Sequence, residues 1–488
     1  MALSRARVYA VPVMSFPAIM VLVWVYLLMF QYYLSLPEAV TVIPQDIFYI
    51  AYLLYPLIGL LTDVYIGRYK AIMIGINLCF ISWIITGILL ILNSSYGGFT
   101  GKIWIVPGLI YLIGFIAFVA NIIQYNIDQL IGASANELST IIYWNFAANP
   151  TAWVLSDWLL LLDTVTANLL FIITSGVALS LILVSHSLFK HKLENISLIK
   201  NPIKLIGTVL CYARKHKYPE NRSALTYWEV EAPSRLDLGK DKYGGPFTEE
   251  EVEDVKTFFR MLPLFIAIVG FTSALFLWQP QGKLTSKYSV HGIIFEYHGA
   301  YHITVLFLFF IYQFIVRSCL HKYIPSMLTR MGAGLVFALL GCIAQLLVHI
   351  FASYDFLIII RQILFGITCF LIYPTSLEFT AAQSPEYMRG MMVGLYYFSM
   401  GIGSTIAFML LFLTEKWYYM ITLSCVFQLL ILMVFVILAK RYKYRVRENE
   451  VNIVQIVDDH YHRYMKQEDE YKKHKVTLEN ETNYVIKD

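Results

Sequence analysis

The chain has 488 residues, of which 58% are hydrophobic and only 14% are charged, and its formal net charge is +4. A soluble domain carries about 25% charged residues, so this composition excludes a surface that faces water everywhere and favours one that faces lipid. Six scattered cysteines form no CxxC pair, which argues against a disulfide framework or a cysteine metal site. P-loop, GxSxG, HExxH and dinucleotide fingerprints are missing. We expect no enzyme, no cofactor, no metal and no nucleic-acid partner.

Apolar stretches long enough to cross a bilayer recur in two groups. A transmembrane helix needs about 20 apolar residues. The first group lies at about 8–34, 47–66, 71–92, 104–126, 138–162 and 167–189, and the second at about 258–280, 303–321, 331–352, 356–377, 390–413 and 417–439. The pattern predicts an all-α membrane protein with twelve transmembrane helices in two six-helix bundles.

Polar segments set the predicted domain limits. Thr248 and Glu251 have the spacing of a capping box, which predicts a helix that runs into the seventh apolar stretch. The tail is charged and rich in Tyr and Lys. The predicted divisions are an N-terminal bundle at 1–189, a cytoplasmic linker loop at 190–257, a C-terminal bundle at 258–440 and a cytoplasmic tail at 441–488.

Basic residues are unevenly distributed between alternate loops, and short cytoplasmic loops are enriched in Lys and Arg. One set of segments holds Arg5, Arg7, Arg68, Lys70, Lys322, Arg330 and Arg389, and the tail adds more. The opposite set holds only Lys102, Lys283, Lys287 and Lys416. The distribution predicts that both termini are cytoplasmic.

The turn between the second and third stretches carries the most informative motif, Gly59-Leu-Leu-Thr-Asp63-Val-Tyr-Ile-Gly67-Arg68-Tyr69-Lys70. Glycines allow helices to approach closely, and an Asp at a membrane surface can pair with basic residues or with a helix N-terminus. Such a pair can lock one face of a transporter. We therefore predict a gating role for Gly59, Asp63, Gly67, Arg68 and Lys70. The alternative is ordinary positive-inside charge with helix-packing glycines.

This motif resembles the signature loop of the major facilitator superfamily. One extra residue between the Asp and the second Gly is typical of its proton-dependent oligopeptide transporter branch. Similar motifs follow between about 45 and 415, including Asp128-Gln129, Phe146-Ala-Ala-Asn149, Phe259-Arg260, Leu377-Glu378-Phe379 and Arg389-Gly390. The resemblance implies a membrane carrier for peptides that works by proton symport.

The sequence departs from that family where the chemistry is expected. The family's first-helix Glu-x-x-Glu-Arg cluster falls on Tyr9, Pro12 and Val13. Its fourth-helix lysine falls on Val119, its seventh-helix acid on Gln279, and its tenth-helix glutamate, which meets a peptide amine, on Cys369. Proton coupling requires a group that titrates inside the membrane. We therefore expect that the usual proton-coupling and peptide-binding charges are lost.

Two charges fall within the predicted spans: Asp157 in the fifth and Arg361 in the tenth. Ionisable residues at this depth are costly and usually functional, although both can reach the outer interface. The alternative for them is a structural role, and for amides it is packing between helices. The candidate substrate-binding set is Gln124, Asn149, Asp157, Gln279, Arg361 and Cys369.

Two hypotheses from different classes follow. The first is a secondary transporter of small organic solutes, peptide-like by resemblance only, that works by alternating access. The second is a transport-deficient receptor or membrane scaffold that binds a protein partner through the cytoplasmic loop and tail. A channel is disfavoured because the spans lack rings of charge. Either protein is integral to a lipid bilayer, whether plasma or endolysosomal membrane.

The opposite charges of Asp157 and Arg361 favour an outer gate pair, and uptake measurements on variants of both residues test this hypothesis. Asp157→Asn and Arg361→Gln are each expected to reduce solute uptake. The double variant should lose no more than the more impaired single variant, because breaking one pair twice removes one interaction. Uptake normalised to surface expression measures this, and additive losses in the double variant would contradict the pairing.

Overall fold

The computed structural model describes residues 15–34, 51–96, 101–130, 135–159, 164–195, 201–216, 234–278, 299–320, 323–351, 355–385, 388–413, 417–442 and 444. The first half contains α1 (Phe16–Leu34), α2 (Tyr55–Leu61), α3 (Arg68–Tyr96), α4 (Ile105–Asp128), α5 (Ala135–Leu159) and α6 (Thr164–Phe189). The linker contains α7 (Pro202–Lys215). The second half contains α8 (Glu249–Met261), α9 (Ile266–Trp278), α10 (Gly299–Phe310), α11 (Met327–Ile350), α12 (Asp355–Gln383), α13 (Arg389–Leu413) and α14 (Trp417–Arg441). In the described residues β-pairing is limited to one isolated bridge, between Lys240 and Phe247.

Short non-α segments extend several of these helices. A 3₁₀ turn, Ala51–Leu54, precedes α2, and a π segment, Thr62–Ile66, follows it. The 3₁₀ segment Leu262–Phe265, which contains Pro263, joins α8 to α9. A second π segment, Ile311–Val316, continues α10 and leads into the short turn Arg317–Cys319.

The helices have the length and composition of membrane spans. Within the described residues, nine segments are long and apolar enough to cross a bilayer, and two shorter apolar helices accompany them. Ile74, Ile81 and Ile88 lie seven residues apart on one face of α3 and are about half exposed, as expected of a face against lipid. The all-helical, multi-pass membrane class is thereby confirmed, whereas twelve spans and the terminal orientation stay predictions.

The two halves of the chain repeat one packing pattern. In the first half α1 packs against α5 and α6, while α3 packs against α4. In the second half α9 packs against α13 and α14, while α11 packs against α12. Between the halves, α2 packs against α13 and α5 packs against α10. The repeat therefore extends to the contacts that join the halves.

Glycines set the closest helix contacts. A methyl group added to Gly75 of α3 would lie 2.6 Å from the carbonyl oxygen of Gly114 on α4. One added to Gly114 would lie 2.7 Å from the carbonyl oxygen of Gly75. Backbones that touch in this way leave no room for a side chain, which is how small residues favour helix association in membranes.

The linker is folded where it is described. The side chain of Asn201 caps α7 by accepting hydrogen bonds from the backbone N–H groups of Ile203 and Lys204. α7 packs against α8. The predicted capping box is confirmed, since the Thr248 side chain accepts from the Glu251 N–H and the Glu251 carboxylate accepts from the Thr248 N–H.

A buried lysine joins this linker to α8. Lys240 is 6% exposed and its ammonium lies 3.1 Å from Asp237, 3.2 Å from Glu249 and 2.7 Å from Glu253. Burial alone lowers the pKa of Lys240, but hydrogen bonds to these carboxylates outweigh burial and raise the pKa above its usual value. The ion pairs of Lys240 therefore anchor the linker on α8, and a fully solvated segment would not make such contacts.

We predict that Gly75→Ala destabilises the protein by about 1–3 kcal/mol, because the added methyl group overpacks the contact with Gly114. Gly87→Ala on the same helix is the matched control, since its methyl group meets no atom within 4 Å. That control should be neutral or slightly stabilising, because Ala is the better helix former. The thermal unfolding midpoint of the detergent-solubilised protein measures both. Equal midpoints would contradict the close contact.

Candidate functional site

The first cluster of buried charge lies at the end of the helix array where α4 ends and α5 begins, here named the inner end. The π segment after α2 places Asp63 there, and Gly67, with a φ of 90°, turns the chain into α3. The Arg68 Nε lies 2.5 Å from Asp63 Oδ1, and its Nη1 lies 2.5 Å from Asp128 Oδ2. Gln124 donates to the other oxygen of Asp128 at 3.0 Å. One guanidinium thus joins the ends of α2, α3 and α4.

The second half of the chain packs directly on this cluster through the start of α13. A methyl group added to Gly390 would lie 2.0 Å from Asp63 Oδ2 and 2.9 Å from an Arg68 Nη. One added to Gly59 would lie 3.5 Å from the carbonyl oxygen of Gly390, an ordinary contact. Gly59, Asp63 and Arg68, predicted as gating residues, therefore meet the other half here. Gly67 forms the turn beside them, and Lys70 points to the exposed surface.

A second cluster of buried charge lies at the same end, in the second half. The guanidinium of Arg330, at the start of α11, lies 3.3 Å from Glu378 near the end of α12. Its Nη1 donates to the hydroxyl of Tyr143 at 2.9 Å and to that of Tyr312 at 3.0 Å. Tyr143 belongs to α5, so this cluster also reaches across to the other half.

Arg317 adds a further contact between the halves. It follows the π segment that continues α10, and it is 5% exposed. Its Nη1 donates to Thr140 Oγ1 at 2.8 Å, and its Nη2 donates to the carbonyl oxygen of Asn136 at 2.9 Å. Both acceptors lie in the first two turns of α5. The start of α5 is therefore held by two arginines of the second half.

The two clusters repeat each other, as the helix packing does. In each half an arginine at the start of one helix pairs with a carboxylate at the end of the next: Arg68 with Asp128, and Arg330 with Glu378. In each case the first turns of a helix from the other half, α13 or α5, cover the pair. Sequence reasoning missed Tyr143, Arg317, Arg330 and Glu378 as residues of the contacts at the inner end. The signal that could have found them is the comparison of the two halves.

A cavity of about 340 Å³ lies between the two halves, deeper in the helix array than the contacts at the inner end. Both halves line it, with α1, α2, α4 and α5 on one side and α9, α10, α12 and α13 on the other. Its lining includes Met29, Tyr32, Tyr55, Val119, Asn145, Asn149, Trp153, Phe271, His302, Cys369, Tyr373 and Tyr397. This volume is at the small end of the usual range of ligand pockets, about 300–1,000 Å³.

The cavity wall is aromatic and, among the described residues that line it, contains no Asp, Glu, Lys or Arg. His302 stacks on Trp153 with ring centroids 4.3 Å apart. Tyr397 packs against Tyr55, with centroids 5.0 Å apart, and thereby joins α13 to α2 within the wall. The described lining combines aromatic rings and aliphatic side chains with a few polar groups, which are hydroxyls, amides, one imidazole and one thiol.

The predicted substrate-binding residues separate into three groups. Asn149 and Cys369 line the cavity. Gln124 instead bonds Asp128 at the inner end, and Arg361 is fully buried outside the described lining, where its Nη1 donates to Gln345 of α11. The side chain of Asp157 and the whole of Gln279 lie outside the described residues, and with them any Asp157–Arg361 pair.

Solved structures share this architecture. A crystal structure described as an auto-inhibited POT family peptide transporter matches with a TM-score of 0.62 and 14% identity, over 88% of this chain and 98% of the other. The POT family transporter PepTSo, crystallised in meso, matches with a TM-score of 0.61 and 15% identity, over 87% and 98%. A POT family transporter in complex with a thioalcohol-conjugated peptide matches with a TM-score of 0.57 and 12% identity, over 86% and 96%. At these identities the likeness concerns the fold.

The sequence itself carries the family assignment. The POT family model, PTR2, matches residues 167–425, which is more than half of the chain. That match confirms the resemblance first indicated by the motif around Asp63. POT family members are transporters and not enzymes. The chain is therefore an integral, multi-pass membrane protein that belongs to the POT family.

Proposed function

We propose that the protein is a secondary transporter that moves small, peptide-like organic solutes by alternating access. The observation that carries the proposal is a cavity lined by both halves and closed at one end by contacts between them. In this proposal twelve spans form bundles at 1–189 and 258–440, joined by the linker at 190–257. Both termini and the tail at 441–488 are cytoplasmic, and so is the inner end.

The chemistry of the inner contacts supports reversible opening. Both arginine–carboxylate clusters are complete within one half, so separating the halves leaves each ion pair intact. Among the described residues, the contacts that must break include hydrogen bonds to neutral partners on α5, glycine packing on α13 and the attraction between Arg389 and Asp128. A hydrogen bond contributes about 0.5–1.5 kcal/mol net, rising to about 3 kcal/mol when one partner is charged. Water that enters the opened end replaces these partners.

The cavity chemistry supports a solute movement that is not driven by the family's usual proton sites. Val119 and Cys369 occupy two of the positions that the family resemblance gives to charged groups, and both line the cavity as uncharged side chains. The buried acids Asp63, Asp128 and Glu378 are each held by an arginine at the inner end. We therefore propose facilitated transport, or coupling through another group.

The scaffold hypothesis is the rival outcome. The ion pairs between Lys240 and α8 show that part of the linker is folded. In the scaffold hypothesis a protein partner binds this folded part of the linker. A protein that carries no solute, while its linker and tail bind a partner tightly, would be a scaffold of this kind.

Uptake by purified protein in proteoliposomes tests the proposal. A labelled dipeptide at millimolar concentration, sufficient to load a weak site, should enter saturably. In a His302→Gln variant, which removes the one imidazole of the described lining, the rate should differ by less than about 2-fold between about pH 5.5 and about pH 7.5, because no acid lines the described cavity. Empty liposomes are the control. An uptake rate that rises strongly at the lower pH would instead support proton coupling. Absence of any saturable uptake would favour the scaffold hypothesis.

Gly390→Ala tests whether the inner contact is a gate. The added methyl group collides with Asp63, so the closed state should weaken and the cavity should become accessible from the inner side. The readout is the labelling rate of Val119→Cys by an impermeant maleimide applied to that side, after the exposed Cys211 and Cys319, the half-buried Cys425 and the cavity-lining Cys369 are replaced by Ser. Labelling should accelerate about tenfold for each 1.4 kcal/mol by which closure is weakened.

Gly59→Ala is the matched control, because its methyl group makes only an ordinary contact with the same segment. It should label at the rate of the parent protein. Equal labelling rates for the Gly390 and Gly59 variants would show that this contact does not govern access to the cavity.

A further inference from the structure

The cavity wall disfavours a charged solute for a physical reason. Moving a charge from water into an apolar site is costly unless an opposite charge or hydrogen bonds compensate it. A zwitterionic dipeptide has two such charges, and the described lining offers no fixed charge to either. Cys369 in particular stands where the family resemblance places the glutamate that meets a peptide amine, and a thiol cannot pair with an ammonium group.

Asn145 supplies the polar recognition that this wall still needs. It lines the cavity on α5 and is 8% exposed. Its Nδ2 donates to the carbonyl oxygen of Ile141 at 2.8 Å, which fixes the orientation of the amide. Its Oδ1 is buried and accepts no hydrogen bond from any residue that the structure describes. A buried acceptor of this kind favours a ligand that brings an N–H donor.

Aromatic rings complete the surroundings of a flat solute. Tyr32 and Phe115 stack with centroids 4.6 Å apart on the first-half side of the cavity. Phe146, the residue after Asn145, packs against Tyr373 of the second half with centroids 5.3 Å apart. Ring faces bind apolar and planar groups without requiring charge.

We propose that the cavity selects uncharged amide solutes of dipeptide size over zwitterionic dipeptides, and that Asn145 Oδ1 accepts a hydrogen bond from the amide N–H of the solute. The proposal rests on the transport function above, because it takes this cavity as the solute site. It goes further than that function because it names the charge state of the solute and the side chain that binds the solute amide.

A matched pair of probes tests the charge preference. Phe-Ala and cyclo(Phe-Ala) carry the same side chains, but the cyclic form has two amide N–H groups and no terminal charges. Binding to the purified protein is measured by quenching of tryptophan fluorescence, since Trp153 lines the cavity. The cyclic form should bind at least about 10-fold more tightly.

Asn145→Leu tests the recognising residue. Loss of the acceptor should weaken binding of cyclo(Phe-Ala) about 5- to 10-fold, the usual effect of one hydrogen bond. Asn77→Leu is the matched control, because Asn77 makes the same bond within its helix, 2.7 Å to the carbonyl oxygen of Met73, on the exposed face of α3. Thermal midpoints of the two variants show whether each is folded.

Cys369→Glu tests the same idea in the opposite direction. A carboxylate at this position should improve binding of Phe-Ala relative to the cyclic form, whereas Cys369→Gln, of the same size without charge, should not. Failure of the Glu variant to shift the preference would contradict the role given to the uncharged wall.

Binding and transport are measured separately, so that the selectivity proposal and the transport proposal can fail independently. Phe-Ala binding as tightly as cyclo(Phe-Ala), or no binding of either probe, overturns the selectivity proposed here. Uptake of Phe-Ala would in the first case still support a transporter. Tight binding of the cyclic form without its uptake into proteoliposomes would uphold the selectivity and refute the transport function.

Discussion

The pairing of Arg68, and of Arg330, with a carboxylate of its own half is the constraint on which the packing of the inner end depends. Arg68 and Arg330 are both less than a tenth exposed, and a buried charge whose partner is removed costs about 3–5 kcal/mol. Ion pairs that crossed between the halves would impose that cost at each opening. Here Arg68 and Arg330 keep their carboxylates within one half, and the hydrogen bonds of Arg317 and Arg330 to α5 go to neutral groups. These ion pairs stabilise each half, whereas hydrogen bonds, glycine packing and the attraction between Arg389 and Asp128 act between the halves.

The same division explains the contrast between the inner end and the cavity. Polar and charged side chains concentrate at the ends of α2, α4, α10 and α12, whereas the described cavity wall is built of rings and small polar groups. Ion pairs thus stabilise the inner end, whereas the cavity wall presents uncharged groups. Substitutions in the cavity wall should therefore alter which solute charge is accepted. Substitutions in the arginine clusters should alter how readily the inner end closes.

The two halves reach the inner end by the same local device. α2 and α10 each continue into a π segment, Thr62–Ile66 and Ile311–Val316. Asp63 lies in the first segment, and Arg317 directly follows the second. A π segment shifts the register of the side chains that follow it and is common at functional sites. The symmetry of the fold extends to the inner end, since each half covers the other's arginine cluster with the first turns of one helix.

The amino-acid sequence alone determined the multi-pass membrane class, the capping box at Thr248 and, through the motif around Asp63, the family resemblance, because these depend on local hydropathy and spacing. The tertiary structure decided which helix faces meet. Helices such as α5 and α9 have no strongly one-sided apolar face, so periodicity cannot indicate how they are rotated. Arg330 and Tyr143 are 187 residues apart in the chain, and only the packing of α5 against α10 and α12 brings them together. The same packing placed Asn145 at the cavity wall, since the rotation of α5 fixes which of its amides faces the second half.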